Sequence, residues 1–222
     1  MRKLCVLLIL ALASSSAFAD AKSDSTERLQ KAATVLKEIM AAPDKGIPQE
    51  VFDNAKCIIV VPHLVKGGFV FGGKHGRGVA TCKTGHGWSA PAFVSIGGGS
   101  WGLQIGVQGV DLVMTIMNAK GAQRLLSNKF QVGAEASAAA GPVGRHASAG
   151  TDWKADTEIL TYSRAKGLFA GATLEGAVVQ QDDDSTVAIY GKKIDQKTIL
   201  GGSVPAPAVA AGFLSAVRAA AA

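Results

Sequence analysis

The sequence predicts an α+β fold in which a strongly bent antiparallel β-sheet or partial barrel is covered by N-terminal helices and a C-terminal helix. Hydrophobic residues make up 48% of the 222 residues and charged residues 18%, so a sizeable core can form and global disorder is excluded. The 27 glycines lie among Val, Ile, Phe and Leu without a collagen period, which is typical of a sheet with sharp bends and close strand approaches. Only 6% of the residues are aromatic, which argues against stacking on single-stranded nucleic acid.

The first nineteen residues have the pattern of a secretory signal peptide. A positive segment, Met1–Lys3, precedes the ten apolar residues Leu4–Ala13, and Ala17–Ala19 supplies a small-x-small cleavage signal. The apolar run is shorter than the ~18 residues of a membrane-spanning helix. We therefore predict cleavage after Ala19, a periplasmic or secreted location, and a single domain over residues 20–222. Loss of the two cations in this segment lowers the formal charge from +6 to +4, which favours acidic surfaces over nucleic acid as partners.

Two helices are predicted before the sheet. Asp24 begins the first one, and its apolar residues recur at helical spacing along one stripe. The stripe consists of Leu29, Ala32, Ala33, Leu36 and Met40. A helix of this kind either docks on its own sheet or lies on a membrane surface, where Leu29, Leu36 and Met40 would contact lipid. Pro48 then begins a short second helix that ends at Asn54.

From Cys57 onward the apolar period changes to two, which predicts strands. In chain order the strands are Cys57–Val61, Phe69–Phe71, Val79–Thr81, Ala92–Ile96, Trp101–Val107 and Val110–Met117. Pro62 is expected to end the first strand, and Gly72–Gly76 is predicted to be a hairpin tip between the second and the third. The apolar faces of Trp101–Val107 and Val110–Ile116 are expected to form the centre of the sheet.

The C-terminal half contains further helices and strands. Ala119–Ser127 is predicted to be a short helix, and Pro205–Ala222 a closing helix. The strands predicted between them are Phe130–Ala138, Thr157–Ser163, Leu168–Val179 and Thr186–Tyr190. The acidic run Asp182–Asp184 precedes the last of these strands, and we interpret it as a solvated turn. Calcium binding is the alternative, although three adjacent Asp residues lack the ligand spacing of a calcium site.

Two cysteines, Cys57 and Cys82, remain after the predicted cleavage. An oxidising compartment favours a disulfide between them, which would stabilise the fold by roughly 3 kcal/mol. Buried free thiols are a second interpretation. Zinc binding together with His63 or His86 is a third, although the paired spacing of a structural zinc site is missing.

Two glycine-rich segments resemble catalytic motifs without the required structural context. Gly68–His75 nearly matches a phosphate-binding loop, but His75 replaces the hydroxyl residue that would hold magnesium. Gly97–Gly102 contains the GxSxG pattern around Ser100, but the alternating residues that follow predict a strand where a nucleophile elbow needs a helix. Paired carboxylates and clustered metal ligands are missing elsewhere in the sequence. We therefore expect no catalytic residue, no metal and no cofactor.

Six blocks of the chain together form a family pattern. They are Ala55–Pro62, Lys66–Phe69, Gly72–Gly78, Trp88–Ala92, Gly98–Gly106 and Tyr162–Gly171, with Gln108 and Asp111 in register between the last two. The pattern extends over roughly residues 29–193, and Tyr162–Gly171 is its most specific part. It resembles the SYLF-domain family.

This resemblance implies a lipid-binding module and not an enzyme. Eukaryotic members of the family bind phosphoinositides and actin at membranes, and exported bacterial members are described as lipid-binding proteins. Similar exported members also carry cysteines at the positions of Cys57 and Cys82. Because a signal peptide places the chain where actin is absent, we expect no actin partner. Recognition of a phosphatidylinositol-type headgroup is implied, and another anionic phospholipid is the expected natural ligand. Binding to an envelope protein is the alternative.

Several cations are candidates for contacting a lipid headgroup. Lys66, Lys74, His75 and Arg77 surround the predicted hairpin tip, Arg164 and Lys166 lie in the most specific block, and Lys56 precedes the first strand. Contacts from such groups to phosphate are charge-assisted and sensitive to salt. For each residue the alternative interpretation is a solvated surface cation.

Overall fold

The computed structural model describes the backbone of residues 2–42, 46–69, 71–101, 106–143, 157–165, 168–171, 174 and 176–221. The helices are α1 (Arg2–Met40), α2 (Gln49–Asn54), α3 (Ala119–Leu126), α4 (Asp183–Tyr190), α5 (Gln196–Leu200) and α6 (Ala211–Ala220), with a 3₁₀ turn at Ala208–Ala210. The strands are β1 (Cys57–Phe69), β2 (Phe71–Thr84), β3 (Gly87–Trp88), β4 (Ala92–Trp101), β5 (Gly106–Ile116), β6 (Lys129–Gln131), β7 (Ala138–Ala140), β8 (Ile159–Ala165), β9 (Leu168–Gly171) and β10 (Val178–Gln181).

Within the described residues, ten strands form one strongly curled sheet, a half-barrel that confirms the predicted α+β class. Neighbouring strands follow the order β6-β10-β4-β2-β1-β5-β8-β7, while β3 pairs with β2 and β9 pairs with β8. The β7–β8 pair is parallel and the other pairs of this sheet are antiparallel. The β1–β2 hairpin therefore lies at the centre of the sheet, with β4 and β5 on either side.

Each face of the sheet carries its own hydrophobic core. On one face, α1, α2 and α6 pack over alternate residues of the central strands, among them Ile58 and Val60. On the other face, residues of α3 and α5 cover the intervening positions, among them Ile59 and Val61. Adjacent residues of a strand belong to different cores because side chains alternate across the pleat. Full burial of one such side chain stabilises the fold by about 1.5–3 kcal/mol, so both faces support the sheet.

The apolar stripe of α1 faces the protein's own core. Leu29 and Leu36 are 1% and 0% exposed, and Met40 is partly buried against the same cluster. Besides the sheet, α1 contacts α4 and α6. In this conformation the stripe docks on its own domain, and Leu29 and Leu36 are not available to lipid. In the part of the chain described here, no helix combines the length and the apolar character that a membrane span requires.

The structure contains the predicted disulfide between Cys57 and Cys82. The two residues are direct partners in the β1–β2 ladder, with 3.9 Å between their Cα atoms, and both are buried. The bridge links residues that are 25 positions apart in sequence. Because the two sulfur atoms are bonded to each other, the free-thiol and zinc interpretations do not apply.

The hairpin tip predicted at Gly72–Gly76 is wrong. β1 continues beyond Pro62 to Phe69 and β2 begins at Phe71, so Gly72–Gly76 lie within a strand. The strand continues because the register of β1 shifts around Pro62 relative to both of its neighbours, β2 and β5. Proline cannot donate a hydrogen bond to the ladder, and a bulge is one of the few positions in a sheet that accepts it.

The predicted strand Thr186–Tyr190 is the second half of helix α4. Asp182 caps this helix, since its Oδ1 accepts a hydrogen bond from the backbone N–H of Ser185 at 3.1 Å. The other two residues of the acidic run occupy the first turn, where the helix dipole favours carboxylates. Gly191 ends the helix with a φ of 74°. The acidic run is therefore a helix start and not a solvated turn, and Asp182 is only 7% exposed.

Two other predicted strands are each divided in two. Phe130–Ala138 becomes β6 and β7, and Leu168–Val179 becomes β9 and β10. Each segment contains a glycine with a positive φ, 89° at Gly133 and 74° at Gly176. A positive φ is incompatible with a continuous strand and suits glycine, so the chain turns at these positions and enters another part of the sheet.

Several other predicted elements agree with the structure in type, but Phe69–Phe71, predicted to be one strand, contains the end of β1 and the start of β2. The helices predicted at Pro48–Asn54, Ala119–Ser127 and Pro205–Ala222 correspond to α2, α3 and α6. Val110–Ile116, which was expected at the centre of the sheet, lies in β5 beside the central β1–β2 hairpin. The strand predicted at Trp101–Val107 is different, because Trp101 ends β4 and residues 102–105 lie outside the described residues. Helix α5 was not predicted.

Candidate functional site

A polar groove with a cavity volume of about 310 Å³ lies between α1 and the β1–β2 hairpin. Helix α1 contributes Asp24, Glu27, Arg28 and Lys31, β1 contributes Pro62, His63 and Val65, and β2 contributes His75, Gly76 and Arg77. We call this site the α1–β2 groove. Its volume is at the lower end of the range for small-ligand pockets. The concentration of cations and imidazoles makes it the strongest candidate for an anion-binding site.

A bulge in β1 directs His63 toward the groove. His63 has a φ of 60°, a backbone conformation that residues other than glycine seldom adopt. It lies where β1 shifts register relative to β5, between Val61 and Leu64. A bulge of this kind changes the direction in which a side chain points. Holding a non-glycine residue in this conformation costs about 1–3 kcal/mol, which the surrounding contacts must offset.

Two features of β5 hold His63 in place. The backbone N–H of His63 donates to Oδ1 of Asp111 at 3.0 Å. The imidazole lies against Gly109, where a Cβ atom would be only 2.4 Å from Cε1 of the ring. Gly109 therefore provides the space for the ring, and Asp111 fixes the backbone from which the ring projects.

Arg164 links Asp111, which holds the backbone of His63, to helix α1. Its Nε donates to Oδ2 of Asp111 at 2.8 Å, and its Nη1 also donates to Glu38 of α1. Partial burial works against the charge of Arg164, but the hydrogen bonds to the two carboxylates outweigh it and raise its pKa. The arginine that was predicted to contact a headgroup thus joins β8, β5 and α1, and its side chain is only 20% exposed.

A buried ion pair closes the base of the groove. Nη1 of Arg28 lies 3.1 Å from Oδ2 of Asp182, and the two side chains are 8% and 6% exposed. Burial lowers the pKa of Arg28, while the charge of Asp182 opposes this effect. Arg28 also donates to Oγ of Ser185 at 2.9 Å. The pair is hydrogen-bonded on both sides, which a buried ion pair needs in order to offset its desolvation, and it ties α1 to the start of α4.

Arg77 lies above this pair and is far more exposed. Its Nε is 3.6 Å from the same Asp182 carboxylate, while 48% of its side chain is accessible to solvent. A guanidinium has five N–H donors, so the contact orients Arg77 and leaves donors for another anion. Lys31, on the opposite wall, pairs with Glu27 at 2.8 Å, with both side chains 58% exposed. Such an exposed pair contributes only about 0.2–1 kcal/mol.

The pleat of the sheet divides the four cations that were predicted to surround one hairpin tip. Lys66 pairs with Lys74 and Val65 pairs with His75, so Lys66 and Lys74 leave the sheet on one face and His75 leaves on the other. Arg77, two residues after His75, shares its face. Only His75 and Arg77 of the four line the groove. Burial lowers the pKa of Lys66 on the opposite face.

The other predicted contact residues are distributed over the molecule. Lys56 is exposed at the far end of β1, where with Lys83, Cys57 and Cys82 it borders a second groove of about 430 Å³. Lys166 lies outside the described residues. Within the part of the chain that is described, His, Cys, Asp and Glu residues do not assemble into a group of three or more that could hold a metal ion. Ser100 lies within strand β4.

Sequence reasoning alone missed most of the groove. The roles of Arg28, Lys31 and Asp182 were not predicted, His63 was considered only as a zinc ligand, and Asp111 only as part of a motif. The one available signal was a Pro-His pair in the middle of an apolar strand pattern, which is typical of a bulge. The partners of Arg28 are more than 150 residues away in sequence, so no local pattern could have identified them.

Comparison with known proteins identifies a family. The family model Ysc84, described as "Las17-binding protein actin regulator", matches residues 97–220, more than half of the chain. A similar protein is the SH3 domain-containing protein PJ696.02 of Schizosaccharomyces pombe. It is 38% identical over 169 residues, which are 74% of this chain and 39% of that protein.

Two further relatives extend the comparison to other organisms. Protein YSC84 of Saccharomyces cerevisiae is 33% identical over 191 residues, covering 82% of this chain and 40% of the relative. The SH3 domain-containing YSC84-like protein 1 of Mus musculus is 33% identical over 202 residues, covering 85% of this chain and 57% of the relative. The chain thus spans between 39% and 57% of the length of these three relatives.

Proposed function

Because the chain belongs to the Ysc84 family, whose SYLF-domain pattern was identified in the sequence, we propose that it is a non-enzymatic binding protein for anionic phospholipid. The phosphate of the headgroup would occupy the α1–β2 groove. The family description and the name of one relative, LAS seventeen-binding protein 3 of Saccharomyces cerevisiae, refer to binding or regulatory proteins, which is consistent with a binding role.

The position of Arg77 is the observation that carries this proposal. The guanidinium is oriented by Asp182 and is 48% exposed at the groove. Arginine recognises phosphate through two parallel N–H···O bonds, and such charge-assisted bonds are about twice as strong as neutral ones. The imidazoles of His63 and His75 border the same space, and the weak Lys31–Glu27 pair can exchange a carboxylate for a phosphate at little cost.

Export is the second part of the proposal. The charged, apolar and small-residue segments of residues 1–19 support cleavage after Ala19 and a periplasmic or secreted location. The disulfide agrees with an oxidising compartment. The proposal predicts that protein recovered from the compartment outside the cytoplasm begins at Asp20, which intact-mass measurement or N-terminal sequencing would test. Recovery of an unprocessed chain in the cytoplasm would contradict it.

Binding to another protein is the second candidate function. It is favoured by the family description, which names Las17 binding and actin regulation, and by relatives such as LAS seventeen-binding protein 3 of Saccharomyces cerevisiae. These activities belong to longer proteins of which this chain matches only a part. For an exported chain the corresponding partner would be an envelope protein and not actin.

Co-flotation with vesicles tests the lipid proposal. The purified protein is expected to float with phosphatidylglycerol–phosphatidylcholine vesicles and not with phosphatidylcholine alone, and added salt should weaken the binding. Arg77→Gln should reduce the affinity about tenfold or more, since a hydrogen bond to a charged group contributes about 1.5–3 kcal/mol. Arg124→Gln is the matched control, because Arg124 is an exposed arginine of α3 outside the groove.

Two outcomes would contradict the proposal in different ways. Absence of flotation with either vesicle type would exclude lipid binding and direct attention to a protein partner. Salt-sensitive flotation that Arg77→Gln and Arg124→Gln affect equally would show that lipid binds elsewhere than in the α1–β2 groove.

A further inference from the structure

We propose that His63 contacts the bound headgroup and that, together with His75, it makes anion binding in the α1–β2 groove depend on protonation. This inference rests on the proposed function and adds a residue and a form of regulation to the same site. It starts from the bulge in β1, which presents His63 to the groove in a backbone conformation that a non-glycine residue seldom adopts.

More contacts hold the backbone and the ring of His63 in place than an exposed surface residue needs. The bulge in β1 sets its φ to 60°, Asp111 accepts its backbone N–H at 3.0 Å, and the absence of a side chain at Gly109 makes room for its ring. Arg164 in turn holds Asp111. The imidazole itself remains exposed. Backbone strain that is maintained by surrounding contacts while the side chain faces solvent is typical of a binding position.

A second imidazole faces the same groove from the neighbouring strand. His75 is the ladder partner of Val65, which lies two residues after His63 and also lines the groove. Arg77 follows on the same face of β2. His63 and His75 therefore lie on the wall of the groove that the sheet forms. Arg77, whose guanidinium is proposed to bind phosphate, projects from the same wall.

Three of the four carboxylates around the two histidines have cationic partners. Asp182 pairs with Arg28 at the base of the groove and Glu27 pairs with Lys31 on α1. From β5, Asp111 pairs with Arg164. Asp24 on α1 lies close enough to Arg28 to influence its charge. Positive charge gained by His63 or His75 therefore adds to a groove near which Asp182 and Asp111 are already paired, and an incoming anion competes for it with Glu27, whose pair with Lys31 is weak, and with the exposed Asp24.

The expected result is stronger binding at acidic pH. Histidine is the side chain whose charge ordinarily changes between about pH 5 and pH 8, and an imidazolium offers two N–H donors to phosphate. The phosphodiester of phosphatidylglycerol keeps its single negative charge over this range, so a change in binding reports on the protein. Added positive charge at a partly exposed site should tighten binding roughly three- to tenfold between about pH 8 and pH 5.5.

The test compares four variants in co-flotation with phosphatidylglycerol–phosphatidylcholine vesicles at the two pH values and constant ionic strength. They are His63→Asn, His75→Gln, the double variant that combines these two substitutions and, as the matched control, His86→Gln. Asparagine is chosen at position 63 because it tolerates a positive φ and carries no titratable group. His86 is exposed on the turn between β2 and β3 and does not line the groove. The double variant His63→Asn/His75→Gln should bind equally at both pH values, and His86→Gln should retain the full response.

The outcomes separate this inference from the proposed function. If the wild-type protein floats at neither pH, lipid binding itself is excluded. If it floats equally at both pH values, or if the double variant keeps the pH response, lipid binding stands and proton-dependent recognition by the two histidines is overturned.

A second measurement uses only the wild-type protein, so its result does not depend on whether the variants fold. Addition of glycerol 3-phosphate to the wild-type protein should shift the ring ¹H–¹³C NMR resonances of His63 and His75 and leave those of His86 unchanged. Equal shifts, or none, for the three histidines would overturn the assignment of His63 as a contact residue. Shifts with glycerol 3-phosphate but no flotation would identify a site for free phosphate esters in place of a membrane headgroup.

Discussion

The two faces of the β1–β2 hairpin carry similar charges but surround them differently. On the α1 face, His63, His75 and Arg77 lie in a groove where buried and exposed carboxylates from α1 and the start of α4 orient the cations. On the opposite face, Lys66 and Lys74 stand directly across from each other in the ladder. Like charges that face each other directly across a ladder are destabilising. Burial lowers the pKa of Lys66.

This difference shows that a cluster of cations in the sequence is not yet a binding site. An anion is recognised where cations are held at a common position by groups that do not neutralise them completely. The α1 face achieves this through Asp182, which binds Arg28 closely at 3.1 Å and orients Arg77 from 3.6 Å. We therefore expect substitutions on the groove side to change stability and binding strongly and those on the lysine face to change them weakly.

The largest effect is expected from Asp182→Asn, which removes the charge at the base of the groove. Asparagine can still cap α4, but Arg28 would be left as a buried unpaired cation, which costs about 3–5 kcal/mol. Urea unfolding should show this loss. Asp183→Asn is the matched control, because the Asp183 side chain is 45% exposed and pairs with an exposed lysine, so it should lower the urea midpoint far less. Equal midpoints for the two variants would mean that the buried pair does not stabilise the fold.

An intermediate effect is expected from Gly109→Ala, which acts on the support of His63. The new methyl group would lie 2.4 Å from the imidazole, so the ring must move. Because a side chain and not the backbone gives way, we expect a stability loss of about 1 kcal/mol together with a weaker pH response of vesicle binding. Gly97→Ala in β4 is the control, since the nearest atom to its added Cβ is 3.9 Å away. An unchanged pH response in Gly109→Ala would argue against a role for the position of His63.

The smallest effect is expected from Lys66→Met on the lysine face. Burial lowers the pKa of Lys66 in the folded protein, so the unfolded chain binds more protons near that pKa and the folded state gains stability as the pH rises toward the ordinary lysine value. Relative to Lys66→Met, the wild-type protein should therefore become more stable as the pH rises toward about 10. Urea midpoints of both proteins across this range would measure the difference. A difference that shrinks with rising pH would contradict the assigned direction.

The success of sequence reasoning depended on how local the relevant signal was. The apolar stripe of α1, the proline at the start of α2 and the period of two in β5 are encoded within a few residues, and these elements are present as predicted. The segment after Asp182 carried two conflicting local signals, a helix cap and a run of β-branched residues. Tertiary contacts favoured the cap, because Arg28 pairs with Asp182 and donates to Ser185 in the helical conformation.

The hairpin shows why the candidate site was harder to predict than the fold. A hairpin tip at Gly72–Gly76 would place the four cations Lys66, Lys74, His75 and Arg77 around one loop. In a strand, the side chains at odd and even positions point to opposite faces of the sheet. The bulge at Pro62 and His63 also shifts the register of β1. In the part of β1 after the bulge, each side chain therefore points to the face of the sheet opposite to the one that an unbroken strand would predict.

The sequence by itself determined the α+β class, the apolar stripe of α1 and the family to which the chain belongs, because composition, periodicity and motifs can be read from the chain itself. The structure decided that the stripe docks on its own domain and that Cys57 and Cys82 are bonded to each other. Only the tertiary structure decided that Arg28 and Asp182 form a buried pair, that Arg164 clamps Asp111, and that His63, His75 and Arg77 share one groove. These relations join residues from distant segments. They depend on strand register and helix docking, which follow from the packing of the whole domain and not from the pattern of any one segment.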